Sequence, residues 1–289
     1  MTTPPAAPRI GLFDSGIGGL SVLRAVRRRL PAAELCYVAD TAFTPWGDRP
    51  ADWVVARCEQ LSAWLIAQGA DLVVVACNTA TTQAIAALRA RWPGRPFVGV
   101  EPGIKPGVAA SRNQRVAVMA TTGTLRSPRL RQLVDYHAGR AELLHLPCPG
   151  LADAIEQADE AAPALAERLD EIAATLRAAA VDTVVLGCTH YPLVAEALQQ
   201  RLGPGVQLVD TGDAVARRVA SLLPPALANA PAGASPGRLQ LHATGAPQAL
   251  QRAARRWLGP GAEVQTLTLP PPAPPAATPA RDAATAPRP

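Results

Sequence analysis

Two segments of this chain share one pattern, in which an acidic residue, an apolar run and a small residue precede a cysteine. The segments are DLVVVACNTA at residues 71–80 and DTVVLGCTHYP at residues 182–192. Both apolar runs are short and rich in β-branched residues, which predicts buried strands rather than helices. Side chains just beyond the carboxyl end of a strand line the ligand crevice of an open α/β sheet. The pattern therefore predicts that Cys77 and Cys188 each lie at a strand end beside a cleft.

A second pair of segments, RIGLFDSG at residues 9–16 and RVAVMATTG at residues 115–123, supports an internal repeat. Both begin with arginine, continue as an apolar strand and end in hydroxyl side chains and a glycine. Strand and helix patterns alternate along the chain, which is typical of α/β folds with mainly parallel sheets. We therefore predict an α/β fold with two pseudo-symmetric lobes and an active site at their interface, where two thiols face one pocket.

The composition argues against several classes of protein. The net charge of +5 is compatible with nucleic-acid binding, but the arginines are spread among predicted helices and the 4% of aromatic residues form no stacking series. The five cysteines are odd in number and form no CxxC, so we expect neither a metal site nor a disulfide framework. No signal peptide or long apolar span is visible, which predicts a cytoplasmic protein without a membrane partner.

The ends of the chain differ in composition from its centre. The chain has 289 residues, enough for two domains, and its 48% hydrophobic content predicts a globular protein despite 30 prolines. Many of these prolines stand near the two ends. We predict a flexible N-terminal tail over residues 1–8 and a disordered Pro/Ala-rich tail over residues 270–289.

The glycine-rich loop DSGIGG at residues 14–19 follows the first predicted strand and precedes a helix. It departs from the dinucleotide-binding pattern because Ser21 stands where the last glycine is needed, and the chain contains no GK[ST]. Asp14 and Ser15 are placed at a strand end and helix amino terminus, where they could contact an amino acid ligand. The same pair could instead serve only as a helix N-cap.

Two opposed thiols without a metal suit proton transfer at a carbon atom. Cys188 and His190 could act as nucleophile and base in acyl transfer, but that reaction leaves Cys77 without a role. Proton abstraction at a stereocentre uses both thiols, since one thiolate removes the proton from one face while the other thiol donates to the opposite face. A helix amino terminus near each cysteine would favour the thiolate.

The motifs around these residues closely resemble those of the glutamate racemases. The matching segments are DSGIGGL (14–20), ACNTA (76–80), EPGIKP (101–106), ATTGT (120–124), GCTHYP (187–192) and DTG (210–212). The resemblance covers residues 9–258. Aspartate and hydantoin racemases share the cysteine motifs more loosely, whereas DSGIGG together with CTHYP points to glutamate.

The resemblance implies a cofactor-independent interconversion of L- and D-glutamate that supplies D-glutamate for bacterial peptidoglycan. It implies that Cys188 deprotonates L-glutamate and that Cys77 deprotonates D-glutamate. Asp14 and His190 would each assist one of the two thiols. The substrate-binding residues that it implies are Asp14, Ser15, Trp46, Gly47, Asn78, Thr79, Thr189 and His190.

The family fold implied by the resemblance has two α/β lobes, with the last segment of the chain returning to the first. Residues 9–98 and 208–269 would form the first lobe, and residues 99–207 the second. Members of the family commonly form homodimers, so we expect a homodimer here.

One substrate-binding segment departs from the family pattern. The Pro-Tyr-Gly of the family reads PWG at residues 45–47, and its Phe-Gly-Asp reads VAD at residues 38–40. A substrate contact made through the backbone amides of residues 46 and 47 would survive the exchange, whereas a contact through the tyrosine hydroxyl would not.

Two other functions stay open at this point. One is a racemase of another acidic amino acid such as aspartate, which is one methylene shorter than glutamate. The other is a two-lobed amino acid-binding protein without catalytic activity, which gives no reason for the two thiols. A nucleotide-binding regulator is disfavoured by the broken glycine motif.

Overall fold

The structure is a computed structural model that describes residues 7–157, 163–224 and 235–272. The disorder expected of the two ends falls on residues 1–6 and 273–289, which lie outside these ranges. Of the residues that were assigned to tails, 7–8 and 270–272 are described.

The first sheet has six strands in the order β10-β9-β2-β1-β3-β4, and every pairing is parallel. Its strands are β1 (Arg9–Asp14), β2 (Glu34–Ala39), β3 (Leu72–Val75), β4 (Phe97–Gly99), β9 (Leu239–Ala243) and β10 (Val264–Thr266). The last two strands come from the end of the chain, so the polypeptide returns to its first sheet after completing the second.

The second sheet has four parallel strands in the order β6-β5-β7-β8. They are β5 (Arg115–Ala120), β6 (Glu142–Pro147), β7 (Thr183–Leu186) and β8 (Gln207–Val209). The order repeats that of β2-β1-β3-β4, so the predicted two-fold repeat is present in the topology and the predicted α/β class with parallel sheets is confirmed. The predicted lobe boundaries fall inside β4 and β8, and the exact division of the chain stays a prediction.

Helices connect the parallel strands, as crossover connections require. They are α1 (Leu20–Arg29), α2 (Ala51–Ala67), α3 (Asn78–Arg91), α4 (Ile104–Ala110), α5 (Thr122–Arg126), α6 (Pro128–His137), α7 (Leu151–Gln157), α8 (Pro163–Ala178), α9 (Ala195–Leu202), α10 (Gly212–Ser221) and α11 (Gln248–Leu258). A 3-10 helix, Tyr191–Val194, precedes α9. No helix in the described ranges has both the length and the apolar character needed to cross a membrane.

The central strands are buried on both faces, which explains their near-continuous apolar sequences. All four residues of β3 and of β7 are buried. Helices cover both sides of such parallel sheets, so the strands show no alternation of apolar and polar side chains. Because both strands are fully packed, they fix the positions of the residues that follow them.

Some elements differ from the sequence expectation. The sequence predicts a helix that starts at Thr81, but α3 begins at Asn78, because Cys77 is the N-cap and the polar residues after it form the first turn. The pattern predicts no helix after Glu101, yet α4 forms there, since a proline in the first turn of a helix loses no hydrogen bond. Strand β10 is not predicted because its three residues are mostly exposed at a sheet edge.

Candidate active site

Cys77 and Cys188 lie just past the carboxyl ends of β3 and β7, which are equivalent strands of the two sheets. Both are buried, with 5% and 7% of their surfaces exposed. Cys77 is the N-cap of helix α3. Cys188 is followed by a turn, and His190 is the N-cap of the 3-10 helix. The expected α-helix amino terminus therefore lies beside Cys77, whereas Cys188 has an imidazole beside it.

The environment of Cys77 favours the protonated thiol. Burial is the largest cause, and the negative charge of Asp14 adds to it, so that the pKa of Cys77 lies well above its ordinary value. The backbone N–H of Ala80 opposes this shift, and charge on Cys188 reinforces it. The two thiols therefore interact electrostatically, and Cys77 carries a proton at neutral pH.

Asp14, the last residue of β1, organises the glycine-rich loop. Its fully buried carboxylate accepts hydrogen bonds from the backbone N–H groups of Ser15 (2.7 Å) and Gly19 (2.5 Å). It also accepts one from Thr189 Oγ1 at 3.3 Å, which joins the first sheet to the segment that carries Cys188. Burial raises the pKa of Asp14 above its ordinary value, against the positive charge of His190, which lowers it.

A short hydrogen-bonded chain links Cys77 to Asp14. Cys77 Sγ donates to Ser15 Oγ at 3.8 Å, and Ser15 Oγ in turn donates to Asp14 Oδ1 at 3.3 Å. Proton exchange between a thiol and a carboxylate can follow such a chain. Asp14 and Ser15 do not cap α1, whose N-cap is Gly19 without a side-chain cap hydrogen bond; both are instead connected to the thiol.

His190 links Cys188 to a carboxylate that the sequence analysis did not single out. Its Nδ1 lies 3.7 Å from Cys188 Sγ, and its Nε2 lies 2.7 Å from Glu156 Oε1. Burial lowers the pKa of His190, but the hydrogen bonds to Cys188 and Glu156 outweigh it and hold that pKa well above its ordinary value. These two hydrogen bonds therefore favour the protonated imidazole, which can donate to the sulfur.

Glu156 also holds the glycine-rich loop. Its Oε1 accepts a 2.6 Å hydrogen bond from the backbone N–H of Ile17, which belongs to the other half of the molecule. A Cβ at Gly16 would come within 1.8 Å of the same oxygen, and a Cβ at Gly18 within 2.4 Å of His190 Nδ1. The two glycines are thus needed for close approach of side chains, rather than for phosphate binding.

Nothing in the local sequence distinguishes Glu156 from other acidic residues. It lies on α7, where a carboxylate on an amphipathic helix is usually solvated, and only the tertiary contacts make it nearly buried, with 9% of its side chain exposed. Its separation from His190 along the chain carries no motif. Sequence reasoning therefore missed this residue of the candidate site, because only the fold brings it beside His190.

The structure brings three further predicted residues to the same edge of the sheets. Asn78 Nδ2 donates to the carbonyl of Val100 at 3.1 Å, while its buried Oδ1 has no hydrogen-bond partner. Thr79 Oγ1 lies 3.1 Å from Thr121 Oγ1, a contact between the two halves of the molecule. Thr189 Oγ1 donates a hydrogen bond to the carboxylate of Asp14. Asn78 and Thr79 directly follow Cys77 along the chain and Thr189 follows Cys188, and Asn78 keeps one acceptor free.

Trp46 is placed differently from the polar residues. Its ring is 1% exposed and packs among aromatic side chains, 6.5 Å from the ring of Phe13 and 6.0 Å from that of Trp53. The indole therefore belongs to the core beneath the first sheet. Gly47 lies against Thr121, so the backbone here borders the edge of the sheets at which Thr79 and Thr121 meet.

A third cysteine, Cys148, lies near Cys188 but outside the predicted set. It is buried after strand β6, and burial together with charge on Cys188 raises its pKa to about 12. Its Sγ is 3.5 Å from the carbonyl oxygen of Leu146. A thiol with this pKa stays protonated and fills space in the core.

Among the residues that the structure describes, no cluster of three or more histidine, cysteine, aspartate or glutamate side chains could hold an ion. What the arrangement offers instead is two buried thiols, each connected to a titratable partner. Such a pair can move protons to and from a carbon atom held between them.

Known proteins share both sequence and fold with this chain. The profile of the family described as Asp/Glu/Hydantoin racemase matches residues 18–219. The chain is 46% identical to a glutamate racemase of Pseudomonas aeruginosa over 214 residues, which cover 74% of this chain and 81% of that protein.

Two solved structures show how far the likeness extends in three dimensions. A glutamate racemase isoform of Bacillus anthracis superimposes with a TM-score of 0.81 at 27% identity, covering 91% of this chain and 98% of that one. The Escherichia coli glutamate racemase, solved with L-glutamate and the activator UDP-MurNAc-ala, has a TM-score of 0.76 at 33% identity and covers 91% and 98%.

Proposed function

Since this chain belongs to the Asp/Glu/Hydantoin racemase family, and is therefore an isomerase, we propose that it interconverts L- and D-glutamate without a cofactor. The glutamate racemases named above are similar to the chain over most of its length, which supports glutamate rather than another acidic amino acid.

The observation that carries the proposal is the matched placement of two buried thiols, each with its own partner. Cys77 connects through Ser15 to Asp14, and Cys188 contacts His190. A single-base reaction needs only one such arrangement. Two arrangements at equivalent strand ends suit a reaction that must run in both directions with opposite stereochemistry.

In the direction from L to D, Cys188 removes the Cα proton of L-glutamate as a thiolate. The protonated His190 donates a hydrogen bond to this sulfur from Nδ1 and balances its charge. Cys77, which is a neutral thiol, gives its proton to the opposite face of Cα. One C–H bond breaks and one forms, and each thiol changes its protonation state once.

In the direction from D to L, the two cysteines exchange roles. Cys77 must then lose its proton before it can act as a base, and the chain through Ser15 gives that proton a route to Asp14. Burial raises the pKa of Asp14, so its carboxylate takes up this proton more readily. His190 can return a proton to the sulfur of Cys188, so that Cys188 is the thiol that donates to Cα in this direction.

Several polar groups are placed to hold the substrate. The free Oδ1 acceptor of Asn78 suits the α-ammonium group, since a buried acceptor without a partner is otherwise costly. The hydroxyls of Ser15, Thr79 and Thr189 and the backbone amides of Trp46 and Gly47 suit the carboxylates.

The proposed reaction also gives the protein a cellular role. D-glutamate would be supplied for bacterial peptidoglycan, and the reaction would take place in the cytoplasm. We further propose that the enzyme works as a homodimer, and that it needs neither a metal nor a nucleic-acid partner.

The proposal is tested by incubating the protein with L-glutamate in deuterated water, without pyridoxal phosphate or metal ions. Cα-deuterium is followed by NMR together with optical rotation. We expect deuterium to enter as rotation is lost. Reaction of aspartate or a hydantoin instead would keep the mechanism and change the substrate. Binding of all three without exchange would support the non-catalytic alternative.

A further inference from the structure

Arg57, in the middle of helix α2, is a fully buried arginine outside the site described above. Its Nε and Nη2 donate to the two carboxylate oxygens of Asp40 at 2.9 and 2.6 Å, and both side chains are 0% exposed. The guanidinium also lies over the ring of Phe43, 4.4 Å from its centroid. This bidentate geometry fixes the orientation of both side chains.

Asp40 stands where the first sheet meets the substrate-binding segment. Its backbone N–H donates to the carbonyl of Asp14 at 2.9 Å, so the residue lies beside the carboxylate that the mechanism uses. Its own carbonyl accepts from the N–H of Phe43 at 3.0 Å. Residues 41–47, which we call the substrate loop, begin here and end at Gly47.

The same guanidinium holds the end of the described chain. Arg57 Nη1 donates to the carbonyl of Pro270 at 2.7 Å and to Gln60 Oε1 at 3.0 Å. We call residues 267–270 the strap. Leu267 donates its N–H to the carbonyl of Ala243 and is buried, so the strap runs from the first sheet onto α2.

Thr244 closes the arrangement from the side of β9. Its hydroxyl donates to Asp40 Oδ1 at 2.8 Å, and Thr244 Oγ1 accepts from the N–H of Ala42 in the substrate loop at 3.2 Å. The carboxylate of Asp40 therefore has three donors, two from Arg57 and one from Thr244. Helix α2, strand β9 and the strap all meet at the root of one loop.

A buried ion pair of this kind is weak evidence for stability, because well-packed apolar residues often serve as well. The ion pair does, however, hold Arg57 and Asp40 in one defined orientation. We propose that Arg57 is a positioning residue for the substrate loop: acting through Asp40 and held by the strap, it sets the backbone of Trp46 and Gly47 where they contact the substrate. The inference rests on the proposed racemase activity.

The test is the steady-state kinetics of the full-length Arg57→Lys variant with L-glutamate. Lysine keeps the charge but cannot pair with both oxygens of Asp40 and also reach Pro270. We expect KM to rise roughly tenfold, as for loss of about one hydrogen bond to the substrate. A merely structural role would lower the fraction of folded enzyme and hence the apparent kcat, with KM unchanged.

A milder variant covers the case in which Arg57→Lys does not fold. Thr244→Val is nearly isosteric, removes the hydroxyl that bonds Asp40 and Ala42, and should raise KM in the same direction by a smaller factor. Arg201→Lys is the control, since that arginine pairs with Asp170 on the surface, and its KM should equal that of the wild type.

The outcomes separate this inference from the proposed function. If the wild type does not racemise glutamate, the proposed function fails first. If the wild type is active and both Arg57→Lys and Thr244→Val keep the wild-type KM, the substrate loop does not depend on Arg57 and the inference is wrong.

Discussion

Glu156 Oε1 lies 2.7 Å from His190 Nε2, and the same oxygen accepts the backbone N–H of Ile17 at 2.6 Å. One carboxylate therefore connects α7, the segment after Cys188 and the glycine-rich loop of the other lobe. It orients the imidazole and raises the pKa of His190. It also holds the two halves of the site together.

Replacing Glu156 with glutamine tests the electrostatic part of this role. The amide oxygen can still accept from Ile17, but the charge is lost, so we expect the pKa of His190 to fall toward its ordinary value of about 6.5. The kcat for L-glutamate should fall at least about tenfold at neutral pH. NMR titration of His190 and the pH profile of kcat measure the two effects.

The stability of the Glu156→Gln variant should also depend on pH. Because the pKa of folded His190 is raised, its protonation stabilises the folded state below the unfolded pKa, and this contribution is lost as pH rises through the folded pKa. The variant should therefore lose most stability at mildly acidic pH. Glu142→Gln, which breaks an exposed ion pair with Arg115, is the control. An unchanged His190 titration would contradict the assignment.

Replacing either Cys77 or Cys188 with serine should abolish racemisation without unfolding the protein. A serine hydroxyl is far less acidic than a thiol, so we expect a loss of at least about 10³-fold in kcat for either variant. Cys36→Ser is the matched control, because Cys36 lies half-buried on β2 outside the site. Circular dichroism checks the fold. Turnover near the wild-type rate in either variant would refute the two-thiol mechanism.

Replacing Gly18 with alanine should displace the imidazole. The added Cβ would come within 2.4 Å of His190 Nδ1, so the ring must move away from Cys188. We expect a fall in kcat of about tenfold or more, with little change in Tm if the movement stays local. Gly205→Ala is the control, since nothing lies within 4 Å of its added Cβ. Equal activity of the two variants would place His190 outside the mechanism.

Asp182 gives a prediction about stability alone. It accepts hydrogen bonds from Ser111 Oγ at 2.6 Å and from the N–H groups of Arg112 and Asn113 at 2.8 Å each. Slight burial raises the pKa of Asp182, but these hydrogen bonds outweigh it, and the pKa lies below the ordinary value. Its contribution is therefore present above the unfolded pKa and is lost as pH falls through the folded pKa.

The Asp182→Asn variant should lose about 1–2 kcal/mol of unfolding free energy at pH 7, and the difference should shrink below about pH 4. Asp170→Asn, in an exposed pair with Arg201, is the control and should lose about 0–1 kcal/mol. Denaturant unfolding at both pH values measures this. A loss that persists unchanged at low pH would mean that the hydrogen bonds to the charged form contribute nothing.

The repeated strand-and-cysteine pattern predicts the topology well, because buried parallel strands impose an apolar sequence on both faces. Cys77 and Cys188 can be found this way, since each follows its strand directly. Asp14 and His190 can be found in the same way, because each lies at or shortly after a strand end. The fold class and the placement of these four side chains were therefore accessible from local sequence.

Contacts between distant segments were not accessible in the same way. Glu156 and Arg57 stand on amphipathic helices, where a charged residue is ordinarily exposed, and only packing against the other elements buries them. The pattern also gives no sign that the ring of Trp46 turns into the core. In each case the decisive information is which surfaces meet, and no periodicity encodes that.

Two different thiols acting on opposite faces of Cα would leave a distinct isotope pattern in the early phase of the reaction in deuterated water. Starting from L-glutamate, we expect the first D-glutamate formed to carry deuterium at Cα while the remaining L-glutamate keeps its hydrogen there. Deuterium entering the remaining L-glutamate as fast as the D-product would indicate one base serving both faces, and would contradict the two-thiol mechanism.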